Sequence, residues 1–275
     1  MKMNIPFLKR RPRVAIIRLS GVIGGSGRFG SGLSDAGLAT VMARAFAMKP
    51  VAVALVINSP GGSPVQSALI GARIRRLAEE KKIPVHAFVE DLAASGGYWL
   101  ACAADDIWID DSSVVGSIGV ISSSFGLVDL MTRNGVERRV HTAGLSKSLG
   151  DPFQPQKPED VVRLRAILDP IHRNFIHHVT SRRGARLATD IDLFQGDVWV
   201  GQGAVDVGLA DGIGHAVPRL KSLYGDKVRL VMVEQRRSIW QRFGAGATLS
   251  GAVAAVIGGT ADVAEERALW ARYGM

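Results

Sequence analysis

Ser95 stands alone among small residues in the stretch Asp91-Leu92-Ala93-Ala94-Ser95-Gly96-Gly97-Tyr98-Trp99. Before it, Val85-His86-Ala87-Phe88-Val89 has the β-branched and aromatic character of a strand. After it, Tyr98-Trp99-Leu100-Ala101-Cys102-Ala103-Ala104 reads as a buried helix. A strand-to-helix corner built from Ala93, Ala94, Ser95, Gly96 and Gly97 projects the hydroxyl outward and sets unpaired helix N–H groups behind it. Small neighbours let a substrate backbone come close, so Ser95 is a candidate nucleophile. The same residues also fit a tight turn in which Ser95 only caps the helix.

A second glycine turn separates these readings. Val51-Ala52-Val53-Ala54-Leu55-Val56-Ile57 is a continuous apolar run, as in a central parallel strand, and it ends in Asn58-Ser59-Pro60-Gly61-Gly62 before a helix expected over residues 63–82. Pro60 fixes the backbone while the two glycines admit unusual dihedrals. One strand end thus offers N–H groups and the other a hydroxyl. Acyl transfer needs that pair: a nucleophile, and donors placed where a carbonyl oxygen becomes an oxyanion. The amides of Gly62 and of Gly96, just after the nucleophile, are the natural donors. A phosphate-cradling turn is the other use of such glycines, but no Walker lysine follows Gly62 and no Gly-x-Gly-x-x-Gly pattern opens the helix.

Together the two segments resemble the signal peptide peptidase A family of serine peptidases, relatives of the Clp proteolytic subunit and the crotonase superfamily. The residues that carry the resemblance are Asn58-Ser59-Pro60-Gly61-Gly62, Ala94-Ser95-Gly96-Gly97-Tyr98-Trp99, Val115-Gly116-Ser117-Ile118-Gly119-Val120 and Ser146-Lys147. It runs from about residue 13 to about residue 217. The resemblance implies that Ser95 is the nucleophile, that Lys147, 52 positions on, is the general base, and that Ser117 orients the lysine amine. It also implies a crotonase/Clp-protease-like α/β fold and a ring-like homo-oligomer whose sites are completed across subunit boundaries. The chain shows no internal repeat and so matches the short, single-unit form.

A lysine acts as a base only when neutral, which requires desolvation or a nearby positive charge. The low-charge stretch around Lys147, residues 141–150, is compatible with burial against an apolar groove. The competing arrangement is a Ser-His-Asp triad. Of the six histidines, His86 lies in the strand before Ser95, His172, His177 and His178 fall on a basic helical stretch, and His215 follows a turn. His141, six residues before Lys147, is the one alternative base.

The elements that must position these groups alternate. Strands are expected near 14–19, 51–57, 84–90, 107–110, 114–121 and 136–142, and helices near 34–48, 63–82, 95–104 and 122–134, with a long helix from Pro158 to Arg183. Alternation of this kind implies an α/β fold with a parallel sheet covered by helices. The 275 residues divide into a basic tail, 1–12, a peptidase domain, 13–235, and a helical or flexible extension, 236–275.

One cysteine, Cys102, excludes a disulfide framework, and its apolar setting reads as a packed thiol rather than a nucleophile. No cluster has metal-ligand spacing, so neither a metal nor a cofactor is expected. The net charge of +9 comes from clusters at Lys9–Arg13, Arg73–Arg76, Arg163–Arg186 and Arg236–Arg237. Without interleaved stacking aromatics these do not suggest nucleic acid, whereas an anionic membrane surface suits them. Residues 1–13 hold no apolar span, and the uncharged stretch 243–261 is too rich in Gly, Ala, Ser and Thr to make a good one. A cytoplasmic or peripherally membrane-associated location is therefore expected.

These residues fit a serine endopeptidase with a Ser-Lys dyad acting on extended, apolar peptides such as released signal peptides or misfolded fragments. Two alternatives stay open. An acyl-CoA hydratase or isomerase would share the glycine oxyanion hole but needs no Ser95 and usually employs a carboxylate base. A non-catalytic membrane-associated scaffold would keep the fold alone.

Overall fold

The structure is a computed structural model of the chain and describes residues 11–24, 26–27, 30–144, 146–234 and 267–275. Most of the expected basic tail and of the 236–275 extension, with the whole 243–261 stretch, lies outside the described residues. The strands are β1 (Arg13–Ser20), β2 (Ser26–Gly27), β3 (Gly30–Ser31), β4 (Ala52–Ser59), β5 (Val85–Ala94), β6 (Asp106–Ile109), β7 (Val114–Gly116), β8 (Val198–Val200), β9 (Gly212–Ile213) and β10 (Arg229–Met232). The helices are α1 (Asp35–Ala47), α2 (Pro64–Lys81), α3 (Gly96–Cys102), α4 (Val128–Arg133), α5 (Pro158–Arg183), α6 (Gly201–Asp206) and α7 (Ala216–Tyr224).

The main sheet runs β10-β1-β4-β5-β6-β9 with every neighbouring pair parallel, as continuous apolar strands joined through helices require. Alternate side chains divide the core. Val53, Leu55 and Ile57 of β4 face Met42, Phe46, Ile70, Ile74, Tyr98 and Leu100, from α1, α2 and α3. Ala52, Ala54 and Val56 face the other way, with Phe88, toward Leu220 of α7 and Val228. This is the expected α/β class, a largely parallel sheet with helices on both faces.

β5 carries the departure that matters most for function. Ile57 pairs with Val89 but Ser59 pairs with Ala93, so β5 takes four steps where β4 takes two. Its first half pairs with β6 and its last three residues with β7. A bulge of this kind bends a strand and re-aims its far end, and Ser95 is the residue just beyond that end.

Three expected elements differ. The strand over 114–121 stops at Gly116, because Gly116 (φ +108°) and Ser117 (φ +50°) leave the extended region. The helix over 122–134 shrinks to α4, since Ser122, Ser123, Ser124 and Gly126 are weak helix formers with no core to hold them. No strand forms over 136–142: these residues are exposed, Val136 at 56%, and no neighbouring strand pairs with them. The long helix has the expected limits, Pro158–Arg183. Only its C-terminal part buries residues, Phe175, Val179 and Arg183. No helix among the described residues is long and apolar enough to cross a membrane.

Candidate active site

Ser95 occupies the N-cap position of α3, but its side chain makes no capping bond. Its backbone sits at φ +51°, ψ −122°, a conformation that favours glycine. Four non-glycine residues among those described have positive φ. Lys82 is the left-handed cap that ends α2 and Lys49 lies just past α1. The other two are Ser95 and Ser117. A capping role would need neither the strained backbone nor an unengaged hydroxyl, so Ser95 is not there to cap the helix.

Register sets the two serines side by side. Ala94 pairs with Gly116 at the end of the β5–β7 ladder, and the next residues in each strand are Ser95 and Ser117. The Ser95 N–H donates to the Gly116 carbonyl at 2.8 Å, and the Ser117 N–H to the Asp197 carbonyl at 2.7 Å. Both backbones are therefore anchored while both side chains are half-buried and face the strand ends, where open α/β sheets bind ligands.

The Asn58–Gly62 turn meets this corner in direct contact. A Cβ added to Gly61 would lie 2.8 Å from Ser95 Cβ and 2.8 Å from the Gly96 nitrogen, so only glycine fits there. The Gly61 N–H donates to Ser59 Oγ at 3.2 Å, and Ser59 Oγ donates to the Gly21 carbonyl at 2.7 Å. Asn58 Nδ2 donates to Asp91 at 2.6 Å, tying the base of the turn to β5. Ile23 bridges the turn: its N–H donates to Gly61 and its carbonyl accepts from Ser63, both at 2.8 Å. Among the described residues, the N–H groups of Gly62 and Gly96 have no acceptor. These are the two amides expected as oxyanion donors.

Helix α3 is clamped from behind by α5. His178 stacks on Trp99 at 4.4 Å between ring centroids, and its Nε2 lies 3.0 Å from the Trp99 carbonyl. Burial pushes the His178 imidazole down to about 4. Arg182 donates to the carbonyls of Cys102 and Ala104, capping the end of α3. Cys102 itself is buried and its thiol is pushed up to about 12 by that burial, only partly offset by Arg183, which is the state of an inert packed cysteine.

Lys147 is placed differently from the sequence expectation. The residues described over 141–150 are exposed or half-buried rather than seated in an apolar groove, and Lys147 is exposed in a turn whose N–H donates to Gly144. Among the described residues its amine has no hydrogen-bond or ion-pair partner, and Ser95 makes no side-chain bond to it. The structure thus brings Ser95, Ser117, Gly62 and Gly96 together within one chain and leaves Lys147 on an outlying loop. His141, the alternative base, is exposed on the same loop. The remaining histidines include His86, held between Asp106 and Tyr224, His172, near the Ile118 carbonyl, and His215, paired with Asp110.

One contact had no signal in the sequence. The Tyr273 hydroxyl donates to Ser117 Oγ at 3.1 Å across 156 positions. No spacing or motif marks a residue so remote.

The chain is similar to several known proteins. Residues 77–224 match the model of Peptidase family S49. The Na(+)/H(+) antiporter NhaA of Brucella melitensis is 47% identical over 271 residues, 95% of this chain and 37% of that protein. The chloroplastic serine protease SPPA of Arabidopsis thaliana is 32% identical over 213 residues, 74% of this chain and 31% of that protein. This chain therefore spans about a third of the length of each. A solved structure of the 1510-N membrane-bound stomatin-specific protease with a substrate peptide aligns over 90% of this chain and 98% of its own, with 13% identity and a TM-score of 0.47.

Proposed function

The chain belongs to peptidase family S49, and on that footing we propose that it is a serine endopeptidase in which Ser95 is the nucleophile and Lys147 the general base. The observation that carries the reading is the Ser95 corner: a positive-φ serine with an unengaged hydroxyl, beside two amides that have no acceptor among the described residues. Strained residues cluster where a nucleophile must be presented.

In this reading Ser95 Oγ attacks the scissile carbonyl carbon while its proton passes to the neutral Lys147 amine. The Gly62 and Gly96 N–H groups hold the oxyanion of the tetrahedral intermediate. The lysine ammonium then gives the proton to the leaving amine, and the acyl group stays on Ser95 until water, deprotonated by the same amine, releases it. Ser117 steers the amine by hydrogen bonding.

Lys147 on an exposed loop suits a site completed between subunits. The surrounding arm exposes Phe125 at 83% and Ile121 at 65%, with Leu130 and Val136 also exposed. Apolar surface of that kind fits contact with a second copy of the chain. Docking would bury the amine, and burial favours its neutral form. A ring of such copies would admit extended peptides and exclude folded proteins. Residues 121–126, exposed and without helix or strand, offer backbone to which an extended apolar peptide could add as a strand. The net charge of +9 supports work at an anionic membrane surface.

The test is labelling with a fluorophosphonate probe, which phosphonylates activated serines. The adduct is expected on Ser95 and should be absent from Ser95→Ala. Peptide hydrolysis that persists in purified Ser95→Ala would overturn the assignment.

A further inference from the structure

Ser117, the residue expected to steer the base, is occupied. Its Oγ accepts from the Tyr273 hydroxyl at 3.1 Å, and Tyr273 is half-buried. Residues 267–271 form a short helical stretch that closes on itself, with the N–H groups of Tyr273 and Met275 both donating to the Trp270 carbonyl. Leu269 and Trp270 on this stretch are half-buried as well. In the single chain, then, the group hydrogen-bonded to Ser117 is a phenol from segment 267–275, and the lysine amine is elsewhere.

We infer that segment 267–275 is an intramolecular gate: Tyr273 takes the place on Ser117 that the dyad gives to Lys147, and the site is completed only when the segment leaves. The inference rests on the Ser95–Lys147 reading. A serine oxygen has one O–H and two lone pairs, and on this inference the phenol fills the side of Ser117 Oγ that the lysine amine would take, so seating of the lysine loop and docking of the segment are mutually exclusive. The apparent reactivity of Ser95 is then its intrinsic reactivity multiplied by the open fraction. The Tyr273–Ser117 bond is one neutral hydrogen bond on a half-buried segment, which amounts to about a two- to tenfold bias. The half-buried Leu269 and Trp270 add to it, so removing the whole segment should have the larger effect. An incoming subunit or a substrate could displace a closure of this strength.

The experiment compares the full chain, Tyr273→Phe and a chain ending at residue 266 by the second-order rate of fluorophosphonate labelling at Ser95. Tyr273→Phe should label about two- to tenfold faster and the shortened chain faster still. A synthetic peptide with the sequence of residues 267–275 should slow the shortened chain, and its Tyr-to-Phe version should do so less. Docking is read independently of activity by treating the double variant Ser117→Cys, Tyr273→Cys with a short bifunctional thiol reagent, because loss of the phenol leaves the two sulfurs too far apart for a direct disulfide; a cross-link within one chain is expected, and buried Cys102 does not compete. Equal or slower labelling on removal of the segment, or no cross-link, overturns the gate while leaving Ser95 as nucleophile. A cross-link with no labelling in any form overturns the nucleophile assignment, and the gate with it.

Discussion

Replacing Ser95 by glycine should make the protein more stable than replacing it by alanine, although both variants lose the hydroxyl. At φ +51°, ψ −122° a residue bearing a Cβ is strained by about 1–3 kcal/mol. Alanine keeps the Cβ and with it the strain, whereas glycine adopts this backbone freely. Glycine also loses more chain entropy on folding, by about 0.5–1 kcal/mol. Since neither variant has the hydroxyl, whatever it contributes cancels between them. The difference left is about 1 kcal/mol in favour of Ser95→Gly, or about 2–4 °C in Tm for a chain of this size. Urea unfolding with equal m-values for the two variants measures it. A Ser95→Gly protein no more stable than Ser95→Ala would refute the reasoning, because the corner would then hold no strain for function to exploit.

Lys147→Arg should be as inactive in peptide hydrolysis as Lys147→Ala, since a guanidinium stays protonated and cannot accept the serine proton; turnover in the Arg variant would move the base elsewhere. Gly62→Ala keeps the amide but drives a Cβ into the Ile23 carbonyl oxygen at φ +139°, so the turn must shift; it should lower Tm and slow Ser95 labelling, whereas wild-type labelling would argue that the placing of this amide does not matter to Ser95. The lowered pKa of His178 gives a signed pH effect. Above about 6.5 folded and unfolded chains both hold it neutral; between there and about 4 only the unfolded chain takes up the proton, so stability falls with pH, by about 2 kcal/mol for this half-buried group. His178→Phe should lose less stability than wild type between pH 7 and pH 4 in urea unfolding, and parallel losses would show that the stacked histidine does not titrate in this way.

What the sequence made legible was whatever depends on local pattern. The runs at 51–57 and 85–89 are strands because short stretches rich in valine, isoleucine and other apolar residues suit burial on both faces, and α5 runs from Pro158 to Arg183 because proline opens helices and Gly184 ends this one. The corner at Ser95 and the turn at Gly62 were also legible, since small residues at strand ends leave few alternatives. The arm from 119 to 157 was not. Val136 and Val140 sit at even spacing, as on one face of a strand, yet no partner strand pairs with them among the described residues and they stay exposed. The β5 bulge was hidden too, because it arises from β5 serving two neighbours at once, a tertiary constraint with no local signature. Short strands such as β8 and β9, three and two residues long, carry too few residues to show a period. Tyr273 was unreadable for a third reason: its meaning lies wholly in a contact 156 positions away.

Complementation tests most directly whether a Ser95 of one chain works with a Lys147 of another. Ser95→Ala and Lys147→Ala proteins, each inactive, are mixed under conditions in which subunit exchange is independently confirmed, and hydrolysis of an extended apolar peptide is monitored. Part of the activity should return, because some intact Ser95 corners would then face an intact Lys147 loop. A mixture that stays inactive while exchange proceeds, or an active species that sediments as a monomer, would contradict the account.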